Sequence, residues 1–285
     1  MEKIRIAVQK SGRLSEKSLE LIEETGIKLN NGNRKLIEQA SNFPLEILYL
    51  RDDDIPQSVE DCVADVGIVG LNEVEEKKKN VKVIEKLGFS KCRMSLAIPK
   101  NIKYTGIEFF NNKVIATSYP GILDKYLKNN DIEAEIHEIS GSVEIAPGIG
   151  MADAIFDIVS SGSTLISNGL TEVETVLNSQ AVMIGNVNIS EKKNQILDEL
   201  IFRIHSVQKA RKNKYILLNA PNNKLNEIFK ILPGMKSPTV LPLAIEGWSS
   251  VHSVIGEDDF WEIIGKLKET GAEGILVIPI EKMII

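Results

Sequence analysis

Residues 153–165 read Asp153-Ala154-Ile155-Phe156-Asp157-Ile158-Val159-Ser160-Ser161-Gly162-Ser163-Thr164-Leu165. Residues 154–159 are short, apolar and β-branched, which predicts a buried strand. The strand gives way at once to Ser160-Ser161-Gly162-Ser163-Thr164, a loop of small side chains, hydroxyls and unhindered main-chain N–H groups. A helical pattern follows it. N–H groups that converge at a strand-to-helix turn hold a phosphate well, and a helix dipole adds to the field. Gly162 lets the main chain approach a ligand closely. Asp157 stands a few residues earlier, within reach of sugar hydroxyls or a metal. An ordinary Ser/Gly turn is the plain alternative for such a loop taken alone.

Working outward, the same punctuation recurs. Asp65 to Gly70 has the spacing of Asp157 to Gly162. Ahead of it lie a strand at 4–8, a helix at 16–25 capped by Ser15 and stopped by Gly26, and a strand at 45–50. Residues 27–44 read as irregular. Asp54 is placed to cap a helix that starts at Ile55-Pro56 and runs to about 63. The later set has a strand at 113–117, a helix from Ser118-Tyr119-Pro120-Gly121 to about 129, and a strand at 134–139. A further helix is expected from Ser140-Gly141-Ser142 through Gly150. Two strand–helix–strand–helix–strand units predict two α/β lobes with mostly parallel sheets, which bind ligands beyond the carboxyl ends of their strands. Those ends carry Lys10, Arg13, Arg51, Asp52, Asp53, Asp54, Tyr119 and the 160–164 loop.

Residues 86–99 are expected to cross between lobes, and a strand at 181–184, followed by a helix at 191–209, to return the chain to the first. Two crossings make a hinge. Beyond a linker at 209–213, strands at 214–219, 239–243, 249–255 and 274–280 alternate with helices at 223–232 and 258–270, the first ended by Pro233-Gly234. That βαββαβ order is ferredoxin-like. The expected division is 1–90 with 181–208 as one catalytic lobe, 91–180 as the second, and 210–285 as an appended regulatory domain.

With 285 residues, 43% hydrophobic and a net charge of −6, the chain is globular in composition and is not a general nucleic-acid binder. Polyphosphates remain open to it where N–H groups, a few cations and Mg²⁺ supply a local positive field. No apolar run is long enough to cross a bilayer. Cys62 and Cys92 have no metal or redox spacing, and no signal-peptide pattern opens the chain. These features predict a cytoplasmic protein with both thiols reduced and buried. His137, His205 and His252 are scattered, and each reads as structural. The run Glu73-Val74-Glu75-Glu76-Lys77-Lys78-Lys79 reads as a solvated helix face.

GxSxG, GxGxxG and a Walker lysine are all absent. The remaining set is a phosphate cradle, a carboxylate below it, cations and an acidic triple. It suits transfer of a phosphorylated sugar. Displacement at an anomeric carbon needs charge stabilised on a departing pyrophosphate and an in-line geometry, with no protein nucleophile. Mg²⁺ on the pyrophosphate would be held chiefly by substrate oxygens and water. A two-lobed cytosolic small-molecule-binding or sensor protein without turnover has the same outline.

The series Glu144-x5-Gly150-x2-Asp153-x3-Asp157-Ile158-Val159-x-Ser161-Gly162-x-Thr164-Leu165 resembles the signature of the ATP phosphoribosyltransferase family. Gln9-Lys10-Ser11-Gly12-Arg13-Leu14, Arg51-Asp52-Asp53-Asp54-Ile55-Pro56, Ala116-Thr117-Ser118-Tyr119-Pro120 and the tail Pro279-Ile280-Glu281-Lys282-Met283 agree with it in order. The resemblance covers essentially the whole chain and is to the long form of that family. It implies a two-lobed, periplasmic-binding-protein-like catalytic body with a C-terminal ferredoxin-like (ACT-like) domain. It further implies that Mg²⁺-bound phosphoribosyl pyrophosphate docks its 5′-phosphate on Ser160, Ser161, Gly162, Ser163 and Thr164. Asp157 would lie near the ribose, with Lys10 and Arg13 on phosphate or pyrophosphate and Tyr119 on the nucleotide. Glu144 and Asp153 are ligand contacts or, equally, structural acids. N1 of the ATP adenine would attack as pyrophosphate leaves, the first step of histidine biosynthesis. Histidine would inhibit at the C-terminal domain, near Thr239 and Asn219, and favour a hexamer over a dimer.

Overall fold

Ile4, Ile6, Ala7 and Val8 are fully buried, as in an interior strand covered on both faces. They belong to β1 (Ile4–Gln9) in a computed structural model that describes residues 2–29, 36–232 and 234–284. Pro233, expected to end a helix, and residues 30–35 of the stretch expected to be irregular lie outside the described residues. The chain divides into two compact units, residues 1–20 with 27–197, and residues 21–26 with 198–285. Among the described residues no helix is long and apolar enough to cross a membrane.

The larger unit holds two sheets. After β1 come α1 (Arg13–Glu24), β2 (Ile37–Gln39), β3 (Leu45–Leu50), α2 (Ile55–Glu60), β4 (Val66–Gly70), α3 (Leu71–Lys77) and β5 (Val81–Lys86). The second sheet is built from β6 (Cys92–Pro99), β7 (Val114–Thr117), β8 (Glu135–Glu138), β9 (Ala154–Val159) and β10 (Leu170–Ser179), with α4 (Pro120–Asn129) and α5 (Ser163–Ser167). The chain then returns through β11 (Ala181–Asn186) to the first sheet, whose order is β2-β3-β1-β4-β11-β5; the second is β10-β6-β9-β7-β8. The expectation of mostly parallel sheets holds only at their centres. β3-β1-β4 and β9-β7-β8 are parallel, whereas β2, β11, β5, β6 and β10 pair antiparallel.

The crossings fall at residues 87–91 and at Gln180. They are laced together by Leu87 N–H to Ala181 O and Ala181 N–H to Phe89 O. Glu76 at the end of α3 accepts the N–H groups of Gly121 and Ile122 at 2.8 Å, so a first-lobe carboxylate satisfies the open N-terminus of α4. Glu73 and Asn72 on the same helix are also buried. The expectation that 73–79 is a solvated face is therefore wrong for its first half.

Several boundaries move for identifiable reasons. Ser15 does not cap α1, which starts two residues earlier and buries it. Asp54 sits at the N-cap of α2, but its side chain makes no cap bond. The helix expected from Ser140 to Gly150 is a single turn at Val143–Ile145, because Pro147 cannot donate to the carbonyl a turn behind it. Cys62 is exposed, not buried, at a positive-φ residue just after α2.

The smaller unit continues from α6 (Glu191–Arg211) through β12 (Asn213–Pro221), α7 (Leu225–Ile231), β13 (Thr239–Pro242), β14 (Trp248–Gly256), α8 (Phe260–Glu269) and β15 (Glu273–Pro279). The expected linker is absent, since only Lys212 separates α6 from β12. Strand order β13-β14-β12-β15, all antiparallel, is the ferredoxin-like arrangement. Ile216, Leu218, Val251 and Ile255 form its core with Ile228 and Leu232 near α7 and Leu267 of α8.

Candidate active site

Ala154, Ile155 and Phe156 bury β9 in two apolar cores at once, and the strand delivers the 160–164 loop at its carboxyl end. Gly162 adopts φ +80°, a left-handed conformation that favours glycine. Ser160, Ser161, Ser163 and Thr164 are exposed, with Val159 and Leu165 buried on either side. The loop turns on a hydroxyl pair, Ser161 Oγ to Ser163 Oγ at 2.9 Å. Among the described residues the N–H groups of Ser161, Gly162 and Thr164 have no acceptor in the protein. The helical pattern read after the loop is only the five residues of α5. A helix that short adds little dipole, so the local positive field of the loop is that of its own amides.

Behind the loop stands Arg93 of β6. Its guanidinium grips Glu172 of β10 with two nitrogens, while Nη1 donates to the Ser160 carbonyl at 3.2 Å. Ser95 Oγ adds a bond to Glu172 at 2.8 Å. These bonds hold the Glu172 carboxyl below the usual carboxylate range, Arg93 being the largest cause.

Acidic side chains gather beside the loop. Asp157, half-buried on β9, is pushed up to about 6, first by burial and then by the neighbouring Glu144, against the bond it accepts from the Ile158 N–H. Glu73 is pushed up to about 7, chiefly by burial, with Asp52 and Asp53 adding repulsion. Tyr119 opens α4 with its hydroxyl facing Glu73 and Asn72, and burial, Glu73, Asp157 and Asp52 all raise its pKa. Gln9 reaches Asp52 at 3.4 Å, and Lys10 N–H bonds Leu50 O. The carboxyl ends of β1, β3 and β4 thus meet Tyr119 and Asp157 of the second sheet, as strand ends in such folds should.

Of the residues singled out in sequence, the structure brings together Tyr119, Asp157, Glu144 and the 160–164 loop. Lys10 and Arg13 are exposed where β1 passes into α1. Asp153 stands at the opposite end of β9 from the loop. Its carboxylate accepts the Val114 N–H at 3.0 Å and pairs with Lys113 at 3.6 Å, a clamp on the start of β7. Asp65 does the same for the first sheet, accepting the Arg5 N–H at 2.8 Å and pairing with Lys193. Thr239 and Asn219 lie on the face of the C-terminal sheet away from its helices, since their partners His252 and Ser250 alternate along β14. Sequence reading passed over Arg93, Glu172, Glu73 and Glu76. The signal for the last two was their i, i+3 spacing on one helix face just after a strand-ending glycine.

The family model for ATP phosphoribosyltransferase (HisG) matches residues 51–206, and that for the HisG C-terminal domain matches residues 210–282. An ATP phosphoribosyltransferase of Bacteroides fragilis is 63% identical over 282 residues, spanning 99% of this chain and 100% of its own. One from Phocaeicola vulgatus is 62% identical with the same coverage. Among solved structures, the ATP phosphoribosyl transferase (HisG:HisZ) complex from Thermotoga maritima aligns with a TM-score of 0.61 at 26% identity, over 71% of this chain and 98% of that one. The substrate binding protein of an amino acid ABC transporter aligns with a TM-score of 0.50 at 12% identity, over 73% and 93%, a likeness of fold alone. An α/β body of two periplasmic-binding-protein-like lobes, a ferredoxin-like C-terminal domain and near-full-length identity above 60% lead to one assignment: this chain belongs to the ATP phosphoribosyltransferase family, which carries out the first step of histidine biosynthesis.

Proposed function

We propose that the 160–164 loop takes the 5′-phosphate of phosphoribosyl pyrophosphate and that ATP is brought to it from the first lobe. The observation that carries this is the loop itself, with Gly162 left-handed and three N–H groups that have no acceptor among the described residues. Asp157, three residues before Ser160 on β9, accepts from the ribose hydroxyls. N1 of the adenine then forms a bond to the anomeric carbon as the carbon–oxygen bond to pyrophosphate breaks, the leaving group taking the electron pair. Lys10 and Arg13 neutralise pyrophosphate or triphosphate charge. Tyr119, its hydroxyl engaged by first-lobe groups, offers its ring to the nucleotide. Glu144 acts through the charge it sets beside Asp157, whereas Asp153 serves the fold.

The half-buried carboxyl of Asp157, with Glu144 beside it, is surplus negative charge of the kind a divalent cation relieves. Asp157 and Glu144 would hold Mg²⁺ together with substrate oxygens, and the ion would supply charge neutralisation on the pyrophosphate. Histidine as inhibitor at Thr239 and Asn219, a dimer–hexamer equilibrium and a cytoplasmic location complete the proposal. Thr239→Ala should abolish inhibition by histidine in a titration of initial rate, with kcat unchanged. The decisive assay mixes protein, Mg²⁺, ATP and phosphoribosyl pyrophosphate, and follows pyrophosphate release and an adenine N1 adduct. Folded protein that yields neither would refute the reading. The likeness to solute-binding proteins is one of fold, and the full-length identity is to transferases.

A further inference from the structure

The Arg93–Glu172 pair does more than tie two strands. β6 starts just after the first crossing between lobes, and β10 ends just before the second. Arg93, Ser95 and Ala97 share one face of β6, because side chains alternate. Glu172 stands opposite Ala97, next to a bulge in β10 that lets its carboxylate lie back over Ser95 toward Arg93. Two guanidinium nitrogens are taken by that carboxylate, and the third is aimed at a main-chain carbonyl of the loop. The planar fork fixes all three directions at once, which an ammonium cannot do. A carbonyl held at Ser160 fixes the plane of the Ser160–Ser161 peptide, and with it the direction of the first free N–H of the cradle.

We propose that Arg93, oriented by Glu172 and Ser95, is a positioning residue for the sugar-phosphate substrate: it sets the loop so that its amides converge before the phosphate arrives. This rests on the reading of the loop given above. Arg93 acts through Ser160 and not through its charge, which Glu172 neutralises. The two possibilities differ in sign. If Arg93 worked as a free cation for the phosphate, Glu172→Gln would unmask it and lower KM for phosphoribosyl pyrophosphate. If it works as a strut, Glu172→Gln loosens the fork and raises that KM.

The test is steady-state kinetics on the full chain with Arg93→Lys and Glu172→Gln, varying each substrate in turn, with melting temperatures measured in parallel. Both variants should raise KM for phosphoribosyl pyrophosphate by about tenfold or more, the scale of a misplaced binding group, while KM for ATP stays within about twofold. An unchanged or lowered KM in Glu172→Gln, full function in Arg93→Lys, or equal rises for both substrates would overturn the proposal. If the wild-type chain shows no turnover, the enzyme reading fails first. Calorimetric binding of Mg²⁺–phosphoribosyl pyrophosphate to wild type and Glu172→Gln then judges the strut alone: weaker binding in the variant upholds it, and equal or tighter binding ends it.

Discussion

Replacing Gly162 by alanine separates the conformational role of the residue from its role in binding. At φ +80° an added Cβ meets nothing closer than Val159 Cγ1 at 4.0 Å, so the protein itself has room for it. The folding cost is then that of an L-residue in left-handed backbone, about 1–2 kcal/mol. It is offset by about 0.4–1 kcal/mol from the stiffer unfolded chain. A net loss of about 1 kcal/mol lowers the melting temperature by about 2–4 °C in a protein of this size. The binding cost is larger, because a phosphate seated on the loop amides must come within about 3 Å of nitrogen, and a methyl group stands in the space the loop leaves open. KM for phosphoribosyl pyrophosphate should rise at least about tenfold, with KM for ATP little changed. Gly26→Ala is the matched control. It has φ +84° and nothing within 4 Å of the added atom, and it lies at the end of α1. It should show the same melting shift and unchanged kinetics. A Gly162→Ala enzyme with the same small melting shift and wild-type KM would refute the amide cradle.

Other perturbations follow from the same geometry. kcat/KM for phosphoribosyl pyrophosphate should fall as pH drops through about 6, where Asp157 takes up its proton, and Asp157→Asn should flatten that limb while lowering the plateau. Glu73 has a folded pKa of about 7, above its ordinary 4.5, so the native state binds more protons and stability falls as pH rises between those values. Glu73→Gln should therefore stabilise the protein at pH 8 by on the order of 2 kcal/mol and have no such effect at pH 4, read as melting temperature against pH. Asp153→Ala should cost about 1 kcal/mol and leave both KM values alone, whereas Asp65→Ala should cost more, because Asp65 is less exposed, 13% against 41% for its side chain, and holds Lys193 at 2.7 Å. A KM effect in Asp153→Ala would return that residue to the substrate site.

What could be read in sequence was local. β9 and its loop, α4 behind Tyr119-Pro120, and the βαββαβ order announce themselves through runs of branched residues, proline and glycine. β10 did not, because Leu170, Val173, Val176 and Leu177 repeat at helical spacing. In the structure that spacing belongs to a strand whose register slips between Glu172 and Glu174 and again between Thr175 and Leu177, each slip turning the next apolar side chain back toward the core. β5, with three charged residues in six, hides as an edge strand. The buried acids were missed for a different reason. Nothing in Glu73-Val74-Glu75-Glu76 says that another lobe will pack on it, and only tertiary structure turns a charged run into an N-terminal cap and a buried carboxylate.

The internal repeat is genuine, but its register is not the one the spacing suggests. Asp65 matches Asp157 by distance to a glycine, yet by function it matches Asp153, since each precedes the third parallel strand and holds an N–H at the start of its neighbour, Arg5 or Val114. Beyond those clamps the lobes part: α3 follows Gly70 directly and carries the buried Glu73, whereas β9 is followed by the turn at 160–162 and the short α5. One lobe places a buried carboxylate there, and the other places bare amides beside a glycine. A dianionic phosphate would be repelled by the first and held by the second, which supports the proposed seat of the sugar phosphate in the second lobe. In the proposed reading the first lobe, with Glu73 turned toward Tyr119, serves the nucleotide.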